Sequence, residues 1–159
     1  MIRAMVPVMR GGNMQSSVLT AEDLEQRLGE AFPEAFHPDS GLAILDVRHR
    51  GCRVRMGFAP HRLRPGGTIS GPNLMLLADV AMYVAVLASI GWQPLAVTTS
   101  LNINFLQKPP PGALIAECRL IKLGRRLAVG DIGIRSEAGE DLVAHATSTY
   151  SIPPNDEVL

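Results

Sequence analysis

Apolar and polar residues follow one another along this chain in patterns that predict two helices and six strands. Thr20, followed by Glu22 and Asp23, is typical of a helix start, because a threonine can cap the free N–H groups and acids suit the first turn. Apolar residues then recur at helical spacing until Pro33. This pattern predicts a first helix of about three turns.

Six segments alternate apolar and polar residues with a period of two, which is typical of strands with one buried face. The predicted strands are 43–47, 52–58, 95–106, 113–123, 127–135 and 142–152. Glycine and proline residues mark the turns between the later strands. In the last strand, Ala144, Ala146 and Tyr150 share one face, whereas His145 lies on the other.

The segment from Pro72 to Ile90 predicts a long apolar helix. Between Leu74 and Ile90, only Asp79 and Ser89 are not apolar. Such a length is compatible with a membrane span, but the alanines, the central carboxylate and the strands that follow favour a helix buried in a soluble protein. Strands that are grouped together indicate an α+β fold with a largely antiparallel sheet, here curved around this helix.

The composition favours one packed domain. Of the 159 residues, 47% are hydrophobic and 19% are charged, which argues against disorder. We expect residues 1–19 to form a flexible tail without a signal-peptide core, and residues 20–159 to form a single domain. Cys52 and Cys118 lie in apolar strand patterns and read as reduced core residues of a cytoplasmic protein.

Charge is distributed unevenly, although the net charge is zero. From Arg48 to Arg126 there are eleven basic residues against two acids, Asp79 and Glu117. Either these arginines are solvated on strand faces, or some of them bind an anionic ligand of modest size. A recognition helix and an aromatic stacking platform are missing, so we expect no nucleic acid partner. The four histidines show no ligand spacing with the cysteines, so we expect no metal.

Asp79 and the start of its helix are the strongest candidates for chemistry. A carboxylate within an apolar helix needs partners, so Asp79 is either a hydrogen-bonded core acid, for example bonded to Tyr83, or a functional group. At the helix start, Ser70 can cap, Gly71 permits close approach and Pro72 suits the first turn. Free N–H groups there can polarise a carbonyl oxygen. A carboxylate and an oxyanion site are the minimal set for acyl-transfer hydrolysis.

Helix geometry separates these two groups. Gly71 and Asp79 are eight residues apart in sequence, which corresponds to about 12 Å along one helix. Both groups therefore cannot contact one thioester within the same chain. If both serve one reaction, Asp79 comes from one subunit and Gly71 from its mate, which predicts a two-fold dimer with two interfacial sites.

Three motifs occur in order along the chain. Residues 66–72 read Gly-Gly-Thr-Ile-Ser-Gly-Pro, and Leu-Ala-Asp follows at 77–79. The strand segment 98–106 and the Gly-Arg turn within 123–129 come next. Together they resemble the hotdog-fold thioesterases of the phenylacetic-acid-degradation (PaaI) and 4-hydroxybenzoyl-CoA types, over roughly 42–152. The resemblance implies a hotdog fold, in which a curved, largely antiparallel sheet wraps around one long central helix.

The resemblance also implies an activity, namely hydrolysis of an acyl-CoA thioester to a free acid and CoA by a homodimer or homotetramer. Asp79 would be the base or nucleophile, the Gly71 N–H would bind the oxyanion, and Thr98 would help to position water. Residues implied in substrate binding are Pro72, Asn73, Tyr83, Arg64, Lys108, Arg125 and Arg126. The last three are candidates for the phosphates of CoA, which enters only as part of the substrate.

Three positions depart from the family pattern. Ser70 replaces a histidine, Pro72 replaces a second glycine, and Arg64 aligns with a frequent asparagine. Proline removes only its own N–H, so the Gly71 amide survives, and His61 is a candidate replacement for the missing histidine. The alternative from another class is a non-catalytic acyl-CoA-binding dimer in which Asp79 is structural.

Overall fold

The computed structural model describes residues 16–154, so residues 1–15 of the predicted tail and residues 155–159 lie outside the described residues. Within the described part of the tail, the Val18 N–H donates to the carbonyl of Ala88 at 2.7 Å. The division into a tail and a single domain stays a prediction.

Both predicted helices and all six predicted strands are present. The helices are α1 (Ala21–Ala31) and α2 (Gly71–Ile90), and the strands are β1 (Leu42–Arg48), β2 (Gly51–Met56), β3 (Leu63–Arg64), β4 (Thr68–Ile69), β5 (Val97–Phe105), β6 (Leu114–Leu123), β7 (Leu127–Ser136) and β8 (Leu142–Ser151). The two-residue strands β3 and β4 were not predicted, because two residues are too few to show alternation.

The six longer strands form one antiparallel sheet in the order β1-β2-β6-β7-β8-β5. Helix α2 packs against the strands of this sheet, and α1 packs against β1 and α2. This arrangement is the hotdog fold that the sequence predicted, and the α+β class is confirmed. Strand β5 lies at one edge of the sheet, directly beside β8.

Helix α2 is apolar on all sides because it is the core of the molecule. By length and composition alone it could cross a membrane, with a mean hydropathy of 1.9, but 67% of that stretch is buried inside the protein. Its buried residues are Leu74, Leu77, Ala78, Val80, Ala81, Met82, Val84, Ala85, Val86, Leu87, Ala88 and Ser89. The sheet and α1 therefore bury most of the apolar surface of α2 within the protein itself.

Helix α1 begins where the sequence predicted. The Thr20 hydroxyl accepts a hydrogen bond from the Asp23 N–H at 3.1 Å, and the Asp23 carboxylate accepts one from the Thr20 N–H at 3.0 Å. This reciprocal pair satisfies two free donors of the first turn. Leu24 and Leu28 are fully buried, so the apolar face of α1 is fixed against the core.

The two cysteines are buried neighbours on adjacent strands. Cys52 of β2 and Cys118 of β6 are register partners, and both are free thiols. Burial raises the pKa of Cys52, and it raises the pKa of Cys118 to about 12. The prediction of reduced core residues is confirmed, and neither thiol has the thiolate character that a nucleophile needs.

The close approach of β7 to α2 depends on a glycine. A Cβ atom added at Gly130 would lie 2.3 Å from the Met82 sulfur, which is deep in the core. We expect Gly130→Ala to lower the free energy of unfolding by about 1–3 kcal/mol, because the core has no room for the methyl group. Urea unfolding monitored by circular dichroism measures this change.

Gly139→Ala is the matched control, because its added Cβ would meet only Ser136 at 3.9 Å, an ordinary contact. If both variants unfold at the same urea concentration as the wild type, the packing of β7 on α2 is looser than described.

Candidate active site

The first turn of α2 leaves one backbone N–H available for a ligand. Ser70 is the N-cap residue, and its carbonyl accepts hydrogen bonds from the N–H groups of Asn73 at 3.1 Å and Leu74 at 3.3 Å. Pro72 has no N–H to offer. Within residues 16–154, the Gly71 N–H has no acceptor. This free N–H therefore lies at the positive end of the helix dipole, where it can donate to an oxygen atom of a bound ligand.

The Ser70 side chain does not cap the helix, and this part of the sequence prediction was wrong. Its hydroxyl oxygen instead accepts a hydrogen bond from the Asn73 side-chain amide at 2.7 Å. An N-cap side chain normally accepts a hydrogen bond from the N–H of the second or third helical residue. Here the second residue is Pro72, which has no N–H, and the N–H of the third, Asn73, is already bonded to the Ser70 carbonyl. Ser70 and Asn73 thus form a small polar cluster at the helix start.

Asp79 is half-buried and receives hydrogen bonds from two neighbouring strands. Its Oδ1 accepts from the Thr98 hydroxyl at 2.6 Å and from the Tyr150 hydroxyl at 3.1 Å. Within the described residues, no hydrogen bond reaches Oδ2. Tyr83, which the sequence suggested as the partner, donates instead to the carbonyl of Pro94 at 2.8 Å. Thr98 thus contacts Asp79 itself, whereas the resemblance implied a contact with water.

Strand register brings Thr98 and Tyr150 to the same carboxylate. They are direct partners across β5 and β8, and a bulge between Thr98 and Ser100 interrupts β5 beside them. Bulges occur next to active sites, where they redirect side chains. Burial, together with the negative charge of Asp79, raises the pKa of Tyr150, so its hydroxyl stays protonated and donates.

Sequence reasoning did not select Tyr150 as a site residue. The alternation in the last strand does place it on the helix-facing side with Ala144 and Ala146, and that was the available signal. A large phenol at the end of a row of small residues can reach further towards the helix than they do. Which residue of α2 it reaches cannot be predicted from that pattern.

A cavity of about 400 Å³ opens onto Asp79 between α1 and α2. Its walls are mostly apolar and include Phe32, Leu76 and Val97. Tyr83 also lines it, and its ring stacks on Tyr150 with a centroid distance of 6.0 Å. Asp79 therefore lines a mostly apolar groove, which we call the helix groove.

A second cavity lies at the Gly71 end of α2. Arg64, Lys108 and Pro72 line a cavity of about 360 Å³ together with Gly71. The ring of Phe105 lies against Gly71, at 3.2 Å from the position that a Cβ would take. Two predicted substrate-binding cations thus lie close to the free N–H, and apart from the helix groove.

Arg125 and Arg126 lie elsewhere, in the turn between β6 and β7. They line a cavity of about 770 Å³ with Ile90 and Gln93, beside the C-terminal end of α2. Ile90 is eleven residues beyond Asp79, or about 16 Å along the helix. The predicted phosphate-binding residues therefore lie at two places. Arg125 and Arg126 lie near the C-terminal end of α2, and Lys108 lies near its N-terminal end.

Seven of the eleven basic residues between 48 and 126 fall into two groups that bear on the site. Arg48, Arg53 and Arg55 form ion pairs with acidic residues on the exposed side of the sheet. Among the described residues, Arg64, Lys108, Arg125 and Arg126 form no ion pair. The solvated interpretation of the charge excess holds for the first group, whereas the second group is available to an anion.

His61 does not join Asp79 or Gly71. It lines a separate cavity of about 390 Å³ with Asn73 and Leu76, on another side of the helix start. Within residues 16–154, no group of three or more His, Cys, Asp or Glu side chains could hold a metal ion.

Arg62 is a buried residue that sequence reasoning missed. Its guanidinium donates to the carbonyl of Gly57 at 2.8 Å and to that of Ser40, while its own carbonyl accepts from the Ser70 N–H at 2.9 Å. Burial lowers the pKa of this guanidinium. Arg62 thus links the segments that contain Ser40 and Gly57 to Ser70, the N-cap residue of α2.

Comparison with known proteins gives the class of this chain. The thioesterase superfamily model matches residues 66–143, which contain the start of α2, Asp79 and Thr98. A candidate thioesterase from Silicibacter sp. TM1040 is 42% identical over 89% of this chain and 97% of its own, with a TM-score of 0.79. The chain therefore belongs to the thioesterase superfamily, whose class of reaction is the hydrolysis of thioesters.

More distant structures agree in fold. A mutant of the phenylacetic acid degradation protein PaaI from Thermus thermophilus is 25% identical over 80% of this chain and 99% of its own, with a TM-score of 0.63. The PaaI protein of E. coli is 23% identical over 81% of this chain and 93% of its own, with a TM-score of 0.69. No curated protein matches the chain by sequence. The PaaI type that the sequence indicated is thus confirmed.

We expect Arg62→Leu to lower the free energy of unfolding by about 2–4 kcal/mol, because the carbonyls of Gly57 and Ser40 lose a charged donor. Urea unfolding measures the change. Arg119→Leu is the control, since Arg119 is exposed on β6 and forms no ion pair among the described residues. Equal stability of the two variants would show that Arg62 does not anchor the helix start.

Proposed function

We propose that this protein hydrolyses acyl-CoA thioesters as a homodimer, with Asp79 of one subunit and the Gly71 N–H of the other acting on one substrate. The observation that carries this proposal is the position of the two groups on α2. Asp79 has a free oxygen at the helix groove, and the unbonded Gly71 N–H lies about 12 Å away along the same helix. One thioester carbonyl can use both only if two chains meet.

The edge strand β5 supports a dimer of this kind. It pairs only with β8 in the sheet, and apolar side chains are exposed along and just beyond it. Val97 is 57% exposed, Phe105 is 53% exposed and Leu106 is 54% exposed. An unpaired edge with exposed apolar residues is a surface on which a second strand adds readily. Pairing of β5 with its two-fold mate covers this edge.

The register of that pairing connects the two halves of the site. Thr98 of β5 lies at Asp79, and Phe105 of the same strand lies at Gly71. An antiparallel pairing centred on Asn102, with the bulge after Thr98 taking up one residue, places Thr98 opposite Phe105 of the partner subunit. Asp79 then approaches Gly71 of the partner subunit, and the two-fold axis generates two such sites.

Hydrolysis then follows from the roles of the two groups. Asp79 Oδ2 accepts a proton from a water molecule, whose oxygen attacks the thioester carbonyl carbon. The Gly71 N–H of the partner subunit donates to the carbonyl oxygen as it becomes negative. The intermediate collapses, the carbon–sulfur bond breaks, and the CoA thiolate leaves and takes the proton from Asp79, which restores the carboxylate. In the nucleophilic alternative, Asp79 attacks the carbon first, and the carbon–sulfur bond breaks with release of the CoA thiolate. Water then hydrolyses the acyl–enzyme anhydride to the free acid and the Asp79 carboxylate, and the released proton protonates the CoA thiolate.

The surroundings suit the two ends of an acyl-CoA. The helix groove, with its apolar walls, suits the acyl group. Phosphates need cations. Arg125 and Arg126 line a cavity together with Ile90, which lies about 16 Å beyond Asp79 along α2, while Lys108 and Arg64 lie beside Gly71. An extended pantetheine arm can bridge such a distance, and Arg side chains suit bidentate contact with phosphate.

Asp79→Asn tests the catalytic assignment. We expect the rate of thiol release from a panel of acyl-CoAs to fall by about 100-fold or more, because the amide can neither accept the proton nor attack. Asp131→Asn is the matched control, since Asp131 bonds to His145 on β8, away from the helix groove. If Asp79→Asn keeps its activity, Asp79 is not the base. If the wild type binds acyl-CoA but never releases thiol, the protein is a binding dimer instead.

Subunit mixing tests the shared site. Asp79→Asn and Gly71→Val each disable a different half, since valine at position 71 collides with Phe105 and fills the oxyanion position. We expect both homodimers to be inactive, whereas a heterodimer purified through two different affinity tags regains about half of the wild-type activity, because one of its two sites combines both intact halves. Light scattering gives the oligomeric state, which we expect to be a dimer or a dimer of dimers. An inactive heterodimer would place both halves of each site in one chain.

A further inference from the structure

We propose that Tyr150 is a positioning residue for the proposed hydrolysis: its hydroxyl, together with that of Thr98, holds Asp79 Oδ1, so that Oδ2 is the oxygen presented to the helix groove. This inference rests on the proposed function, because it concerns how the assumed catalytic carboxylate is oriented. None of the motifs quoted from the sequence contains this tyrosine.

The hydroxyl of Tyr150 lies between the side chain and the backbone of Asp79. It is 3.1 Å from Oδ1 and 3.3 Å from the carbonyl oxygen of the same residue. The Thr98 hydroxyl reaches Oδ1 at 2.6 Å from the neighbouring strand. Both donors therefore act on one oxygen, and a carboxylate held in this way cannot exchange its two oxygens without losing both bonds.

Tyr150 is the more rigid of the two anchors. It is 3% exposed, and β8 is paired on both sides, with β7 and β5. Its ring also stacks on Tyr83. Thr98 lies beside the bulge in β5, where the regular pairing with β8 is interrupted. The orientation of Asp79 therefore depends most on the residue that the sheet and the stack fix in place.

No other side chain in the helix groove can replace this donor. Besides Asp79, its polar lining residues are Thr98, Tyr83 and Tyr150. The Tyr83 hydroxyl is bonded to the carbonyl of Pro94, away from Asp79. Among the described residues of one subunit, Thr98 and Tyr150 are thus the groove side chains that hold the carboxylate of Asp79.

Tyr150→Phe removes the hydroxyl and keeps the ring. We expect kcat to fall about tenfold or more, because the carboxylate spends less time with Oδ2 in the productive orientation. KM changes by less than about threefold, since the ring still forms the wall of the groove.

Ser148→Ala is the matched control. Ser148 is 1% exposed, lies two residues earlier on the same face of β8, and donates to the carbonyl of Ser100 at 3.1 Å, away from Asp79. We expect this variant to lose stability but to keep the wild-type kcat. If Tyr150→Phe behaves in the same way as Ser148→Ala, Tyr150 is only a core residue and the inference is wrong.

A second measurement does not depend on the stability of Tyr150→Phe. The chain has two tyrosines, so incorporation of 3-fluorotyrosine into the Tyr83→Phe protein labels Tyr150 alone. The fluorine resonance of this label reports the surroundings of the Tyr150 ring. We expect the resonance to shift when Asp79→Asn is introduced and to stay in place with Asp131→Asn, because the Tyr150 hydroxyl bonds to Asp79. An unchanged resonance in Asp79→Asn would also overturn the inference.

Separate results would refute the proposed function and the inference about Tyr150. If Asp79→Asn abolishes thiol release while Tyr150→Phe keeps the wild-type kcat, the hydrolase assignment stands and the role of Tyr150 is refuted. If Asp79→Asn retains activity, the proposed function itself fails, together with the inference that rests on it.

Discussion

The structure depends on the placement of one carboxylate inside an otherwise apolar core helix. An ionised carboxylate removed from water is costly unless hydrogen bonds compensate it. Asp79 obtains that compensation from Thr98 and Tyr150, which stand opposite each other on β5 and β8. The register of the two strands is therefore coupled to the site, since a shift of either strand by one residue would turn its hydroxyl group away from α2.

The same helix carries the second reactive group at its start. Pro72 removes one N–H and the Ser70 carbonyl binds the next two, so the Gly71 N–H is left as the free donor within the described first turn. Rigid helical geometry keeps this donor about 12 Å from Asp79. One helix cannot bring its own two groups together, so the proposed shared site needs a second chain.

The basic residues also differ in whether an acidic side chain pairs with them. Arg48, Arg53 and Arg55 on the outer side of the sheet are paired with acids, and such exposed pairs add little to stability. Among the basic residues that form no ion pair within the described residues, Arg64 and Lys108 lie near the start of α2, and Arg125 and Arg126 lie near its end. A net charge of zero thus coexists with two local groups of cations, to which the proposed function assigns the phosphates.

The sequence by itself determined the order of the elements, the burial of α2 and the candidates Asp79 and Gly71, because these depend on local periodicity, capping residues and a single polar residue in an apolar run. Tertiary structure alone decided that Tyr150, and not Tyr83, bonds to Asp79, and that Arg62 is buried. Alternation along a strand gives the face of a residue but not its register against a helix that lies far away in sequence. Contacts of that kind arise only when the whole sheet has closed around α2.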